Sequence, residues 1–315
     1  MREKKIEMKK IVLVFILFLN FSAFAQQDEL FSQYMFNKLL INPAYAGSRE
    51  VFTVDVLSRY QWVGIDGAPN TTSLAFHTLT ANKKVGLGAY IYSDKIGPTK
   101  DLDVMLTYSY RVRTRKGWLS FGLQGGIKYS DFNWDEIYTQ NPDVLYDPDD
   151  VQRVIPDVNL GVYYQTSRFF AGLSSKQLLE NEYGSFEVVT AQSSYTSFEL
   201  LSRHFYGMTG LAVPINDKMT FRPSAMARYV KNAPFQMDFN ASIIFNDIFW
   251  IGASYRTANA VVFLTEFQIA KNWRLGYSFD LYLNELQTYN NGSHEFRLSF
   301  DLFTDKNRMK TPRYF

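Results

Sequence analysis

The sequence predicts an all-β protein: a transmembrane antiparallel barrel of about fourteen strands, with a short plug or rim segment ahead of it. Three observations carry that expectation. Runs of about 10 to 13 residues alternate strictly between apolar and polar side chains, one face apolar and the other carrying full charges. The connections between them alternate between tight polar turns and longer loops, the habit of barrels that cross an outer membrane. A leader directs the chain to export, yet no later stretch approaches the roughly 18 apolar residues of a spanning helix.

Residues 1–25 read as a secretory signal peptide. Arg2, Lys4, Lys5, Lys9 and Lys10 precede the run IVLVFILFL, and the small residues Ala23 and Ala25 mark a cleavage site before Gln26. The run is too short to span a bilayer. Five basic and two acidic residues (Glu3, Glu7) give the leader +3 of a formal net charge of +2, so the remainder is near −1. With the basic excess removed on export, nucleic acid is not an expected partner. The chain has no cysteine, which excludes disulfides, thiolate metal sites and a Cys nucleophile.

Residues 26–49 form an amino-terminal periplasmic plug or rim segment. In FSQYMFNKLLINPAYAGS (31–48), Phe31, Tyr34, Met35 and Leu39 recur at helical spacing, Asn42-Pro43 stops the pattern, and Ala46-Gly47-Ser48 makes a turn. So apolar a stretch cannot be left in water. It plugs the lumen, caps the rim, or is covered by a periplasmic partner.

The barrel is expected over residues 50–304, with strands near 50–61, 70–80, 84–94, 100–114, 118–132, 156–166, 169–179, 201–213, 218–230, 235–246, 248–257, 260–270, 273–284 and 293–304. In FQMDFNASIIFN, for example, Phe235, Met237, Phe239, Ala241, Ile243 and Phe245 oppose Gln236, Asp238, Asn240, Ser242 and Asn246. ANKK, RKG, SR, NDK, ND and KN are the tight turns; VGIDGAPN, the 95–99 loop, 133–155, 180–200 and ELQTYNNGS are the longer connections. KNAP and TAN are short although they fall on the long side. Tyr60, Trp62, Trp118, Trp134, Trp250 and Trp273 lie near strand ends, where aromatic girdles form at the membrane interface. An even strand count puts both termini on the periplasmic side and the longer loops outward. Residues 305–315 are a basic periplasmic tail, with Lys306, Arg308, Lys310 and Arg313, suited to anionic headgroups or a periplasmic ring.

The inward charges, among them Asp55, Arg59, Asp238, Glu266, Arg274, Asp280, Glu295, Arg297 and Asp301, either line a conducting path or pair across a narrow lumen. Asp143, Asp147, Asp149 and Asp150 cluster without the glycine and bidentate glutamate of a calcium loop, so no metal is expected. His77, His204 and His294 fall on different strands, and no nucleophile-elbow or zincin motif occurs. Neither a catalytic set nor a cofactor is expected, and the chain is read as not an enzyme.

The segment FSQYMFNKLLINPAYAGS, together with QWVGIDGAPNT, GLGAYIYSDK, DKIGPT and the terminal PRYF, resembles the PorP/SprF family of the type IX secretion and gliding-motility apparatus. The resemblance runs from about residue 27 to the end, with Lys38 standing where a small residue or Pro is common. It implies an integral outer-membrane protein in contact with membrane lipids and type IX components. It also implies core duty in export, or delivery and attachment of one large secreted surface protein, such as an adhesin, through a C-terminal sorting domain. On that resemblance, Trp62, Gly64, Asp66, Gly67 and Pro69, with Asp94, Lys95, Gly97 and Pro98, are candidate partner-binding positions on outward loops. Phe31, Tyr34, Met35, Leu39, Asn42 and Pro43 are candidates for a plug or a partner contact. A porin-like or fatty-acid-transporter-like channel for small solutes is the alternative.

Overall fold

The computed structural model describes residues 31–133, 151–189, 194–257 and 260–302. The described residues form seventeen strands: β1 (Phe52–Tyr60), β2 (Asn70–Leu79), β3 (Val85–Ile96), β4 (Thr99–Arg113), β5 (Trp118–Phe132), β6 (Val151–Gln165), β7 (Phe169–Lys176), β8 (Glu182–Val189), β9 (Ser194–Leu200), β10 (His204–Leu211), β11 (Val213–Asn216), β12 (Met219–Val230), β13 (Gln236–Phe245), β14 (Phe249–Arg256), β15 (Ala260–Gln268), β16 (Trp273–Tyr282) and β17 (Ser293–Leu302). Every neighbouring pair is antiparallel, and β1 pairs with β17 from Phe52↔Leu302 to Tyr60↔His294, which closes the sheet. β11 continues β10 past a break at Ala212, and β8 and β9 pair only with each other. The wall is therefore a closed fourteen-strand barrel. Closure gives every strand of the wall a neighbour on both sides, as a lipid environment requires.

The faces sort as a membrane barrel requires. Leu106, Leu123, Leu173 and Phe263 point outward and are exposed, while Asp55, Arg59, Thr107, Gln124, Asn159 and Glu295 point inward and are buried. Turns at one mouth are short: 80–84, 114–117, 166–168, 217–218, 246–248 and 269–272. The other mouth carries 61–69, 133–150, the 177–203 connection with its β8–β9 hairpin, and 283–292. The barrel thus has a short-turn mouth and a long-loop mouth.

Four details depart from the sequence expectation. The 95–99 loop shrinks to a Gly97-Pro98 turn because β3 and β4 pair out to Ile96↔Thr99. β6 begins at Val151, so 151–155 belong to the wall, paired with β5 up to Phe132. The 180–200 stretch holds the β8–β9 hairpin. Trp250 is buried and inward, in phase with Ser254 and Arg256, and belongs to no girdle. Trp134, the acidic cluster at 143–150, the leader and the basic tail lie outside the described residues.

Candidate functional site

Residues 31–48 run through the interior of the barrel. Tyr34, Met35, Leu39, Ala44, Tyr45 and Ala46 are buried there with Gln33, Lys38 and Asn42. The helical spacing becomes two short 3-10 turns, Lys38–Leu40 and Pro43–Tyr45, in place of a helix. Asn42 is extended, as a residue before proline prefers, and its side-chain oxygen accepts the Ala44 N–H to cap the second turn. Its amide nitrogen donates to the Val162 and Leu173 carbonyls at 3.1 and 3.2 Å. A continuous helix would consume its own carbonyls; here Met35, Ile41 and Ala44 offer theirs to the wall.

The wall is shaped to receive this backbone. Gly86, Ser109, Gly122, Gly161 and Ser174 sit opposite one another in register across β3, β4, β5, β6 and β7, forming one inward row of small residues. Ser174 Oγ donates to the Ile41 carbonyl at 2.8 Å and Ser109 Oγ to the Ala44 carbonyl at 3.2 Å. A Cβ on Gly86 would collide with the Ala46 carbonyl, one on Gly122 with the Ala44 nitrogen, and one on Gly161 with the Asn42 side chain. The five residues make a shelf on which 41–46 lie. At its end, Gly47 takes φ +75°, turning the chain toward β1, while its N–H donates to His77 Nδ1.

The opposite wall is ionic. Glu295 accepts the backbone N–H groups of Ser32 and Gln33, each at 2.8 Å, on its two carboxylate oxygens. Ser32 Oγ donates to Asp280 at 2.7 Å and accepts from Arg59. Arg59 joins Asp280 and Glu295 at 2.7 and 3.0 Å, and Arg256 joins Asp238 and Asp280. Lower in the lumen, Arg297 bridges Asp55 and Glu266, while Arg274 and Arg49 meet at Asp301. Of the two readings of the inward charges, these have become pairs, the form in which buried charge is tolerated. Three cavities beside the segment hold about 20, 10 and 10 Å³, room for roughly one water each.

Lys38 is the one segment cation whose ammonium meets no carboxylate within the described contacts. Its Nζ donates to the Met35 carbonyl at 2.8 Å and lies over the Tyr45 and Phe170 rings at 5.0 and 4.7 Å. Lys38→Met is expected to leave stability unchanged or raise it by about 1–2 kcal/mol, since the Met35 carbonyl keeps its bond from Arg222. Paired melting curves of the parent and the variant in detergent check the sign.

The candidate loop residues meet at the long-loop mouth. Trp62, at φ +49°, donates its N–H to Ser293 Oγ and packs edge-on to Tyr282. Val63 exchanges backbone bonds with Asn291 and Gly292, and Gly97 N–H donates to the Gly67 carbonyl. Loop 61–69 is thereby tied to both neighbours. Asp66 and Lys95 are exposed, Pro69 is buried, and Asp94 turns inward to accept from Thr71 Oγ1. The segment candidates Phe31, Tyr34, Met35, Leu39, Asn42 and Pro43 lie inside, below that rim. Phe31 lies toward the long-loop mouth and Leu302 at the short-turn mouth, and both termini lie outside the described residues.

The shelf residues were missed from sequence. Each glycine or serine stands in the inward phase of its own strand, but only the register aligns the five.

Residues 23–300 match the family model described as type IX secretion system membrane protein PorP/SprF. No curated protein matches the chain. Among solved structures, the Ralstonia pickettii toluene transporter TbuX aligns at 12% identity with a TM-score of 0.51, over 84% of this chain and 92% of its own. The P. putida toluene transporter TodX aligns at 11% identity with a TM-score of 0.50, over 85% of this chain and 95% of its own. At such identities the likeness is one of fold alone, that of an outer-membrane barrel.

Proposed function

Because the chain belongs to the PorP/SprF family of type IX secretion system membrane proteins, we propose that it serves export from the outer membrane as a closed barrel, through protein–protein contacts and without chemistry of its own. The observation that carries this reading is the lumen. A solute channel needs a continuous wetted path, whereas here residues 31–48 and paired charges occupy the interior. In this reading the long loops face outward, and the short turns and Leu302 face the periplasm. The rim built by loop 61–69 with Gly97-Pro98 receives a secreted surface protein, such as an adhesin, that carries a C-terminal sorting domain. The short-turn side meets periplasmic type IX components.

Two measurements test it. Affinity purification from detergent-solubilised outer membrane, followed by mass spectrometry, should recover type IX components and one large secreted protein. Recovery of neither refutes the reading. An epitope inserted at 140–150 should be labelled on intact cells and one at Lys116 should not; the reverse pattern would invert the barrel.

A further inference from the structure

Both ends of the lumenal segment have fixed heights in the barrel. Ser32 touches Arg59, Arg256, Asp280 and Glu295. Each of these lies within three residues of the long-loop end of its strand. Phe31 packs edge-on to Tyr92, with ring centroids 6.2 Å apart. It also lines the cavity bounded by Tyr90, Tyr206, Lys176 and Arg228 toward the same mouth. At the other end, Gly47 meets His77 and Arg111, and Arg49 pairs with Asp301. Those three partners lie within three residues of the short-turn end of β2, β4 and β17. The backbone therefore descends the full height of the barrel between Ser32 and Arg49.

We propose that the chain enters its own lumen through the long-loop mouth. The amino-terminal end of the segment is then presented on the side of the long loops, and Glu295 gripping the Ser32 and Gln33 amides is the latch that holds it there. Covalent continuity supports this direction. The segment leads into β1 at the short-turn mouth, and β1 closes on β17 around it. The lumen below Ser32 is filled by the segment itself. Placing that end outside, and not merely at the long-loop mouth, rests on the orientation proposed above.

The absence of cysteine makes the test clean, since each variant carries a single thiol. Phe31→Cys, Asp66→Cys on the long loop and Lys83→Cys on a short turn are treated on cells with a membrane-impermeant maleimide, before and after the outer membrane is permeabilised. Phe31→Cys and Asp66→Cys should label on intact cells, and Lys83→Cys only after permeabilisation. If Phe31→Cys instead labels together with Lys83→Cys, the entry direction is overturned. If Lys83→Cys alone labels on intact cells, with Phe31→Cys and Asp66→Cys both requiring permeabilisation, the orientation under Proposed function falls and the entry direction stands. Should Phe31→Cys label under neither condition, an epitope placed immediately ahead of Phe31 decides. Antibody access shared with an epitope at Asp66 supports the inference, and access shared with one at Lys83 overturns it.

Discussion

Replacing Gly122 and Gly161 together by valine is expected to drive residues 41–46 off the wall and leave the fourteen strands paired. Both glycines face inward in register, and a Cβ at either would occupy space held by Ala44 or Asn42. At Gly122 the atoms met are the Pro43 and Ala44 backbone, which no side-chain rotation relieves; at Gly161 they belong to the Asn42 side chain, which cannot turn away without losing its bonds to Ala44, Val162 and Leu173. Valine suits a strand, so the wall itself should not suffer. What is lost is the burial of Leu39, Tyr45 and their neighbours. At about 1.5–3 kcal/mol for each large side chain fully buried, that is roughly 5 kcal/mol or more. Melting in detergent should fall sharply, and trypsin should cut at Lys38 and Arg49, which are enclosed in the parent. Gly207→Val is the control, because a Cβ there meets only the Leu173 side chain at 3.5 Å. A double variant with parental melting and protected Lys38 would mean that the shelf does not hold the segment.

Deletion of residues 31–45, keeping the leader and its cleavage site, should convert a silent barrel into a conducting one. The intact protein in a planar bilayer should show no large steady conductance, because residues 31–48 and paired charges occupy its lumen and the three cavities beside the segment hold about 20 Å³ or less. Removing the segment leaves Arg59 with Asp280 and Glu295, and Arg297 with Asp55 and Glu266, so the inward charges remain paired. The strands should still close, and the freed lumen should fill with water and carry current. In cells the same deletion should lower thermal stability and abolish display of the secreted partner. A deletion variant that stays silent would show that something other than the segment shuts the barrel. One that conducts yet displays its partner normally would separate the segment from export.

The strands were legible because a two-sided wall imposes period two on every residue it contains. All fourteen wall strands were locatable from alternation, most to within two residues, and the extra start of β6 was hidden where the pattern passes through Pro156. Trp250 was misplaced because an aromatic near a strand end was read by type and not by phase. Phase sets it beside Ser254 and Arg256, and inside. The segment was visible as apolar chain with no strand to join, but its destination was not. Phe31, Tyr34, Met35 and Leu39 would be equally apolar against a rim, a partner or a lumen.

Local pattern by itself determined the class of wall, its strand number, and which mouth bears the long loops, since each is carried by residues close in the chain. Only the tertiary structure decided what fills the barrel and from which mouth the chain enters. Those depend on register summed across strands distant in sequence. Gly86, Ser109, Gly122, Gly161 and Ser174 become a shelf only when five strands are aligned. Glu295 reaches Ser32 across 263 residues of chain only when β17 has closed on β1. A one-residue slip in any of those pairings would turn a glycine outward and put a side chain in its place, so the site exists at the level of the closed sheet and nowhere below it.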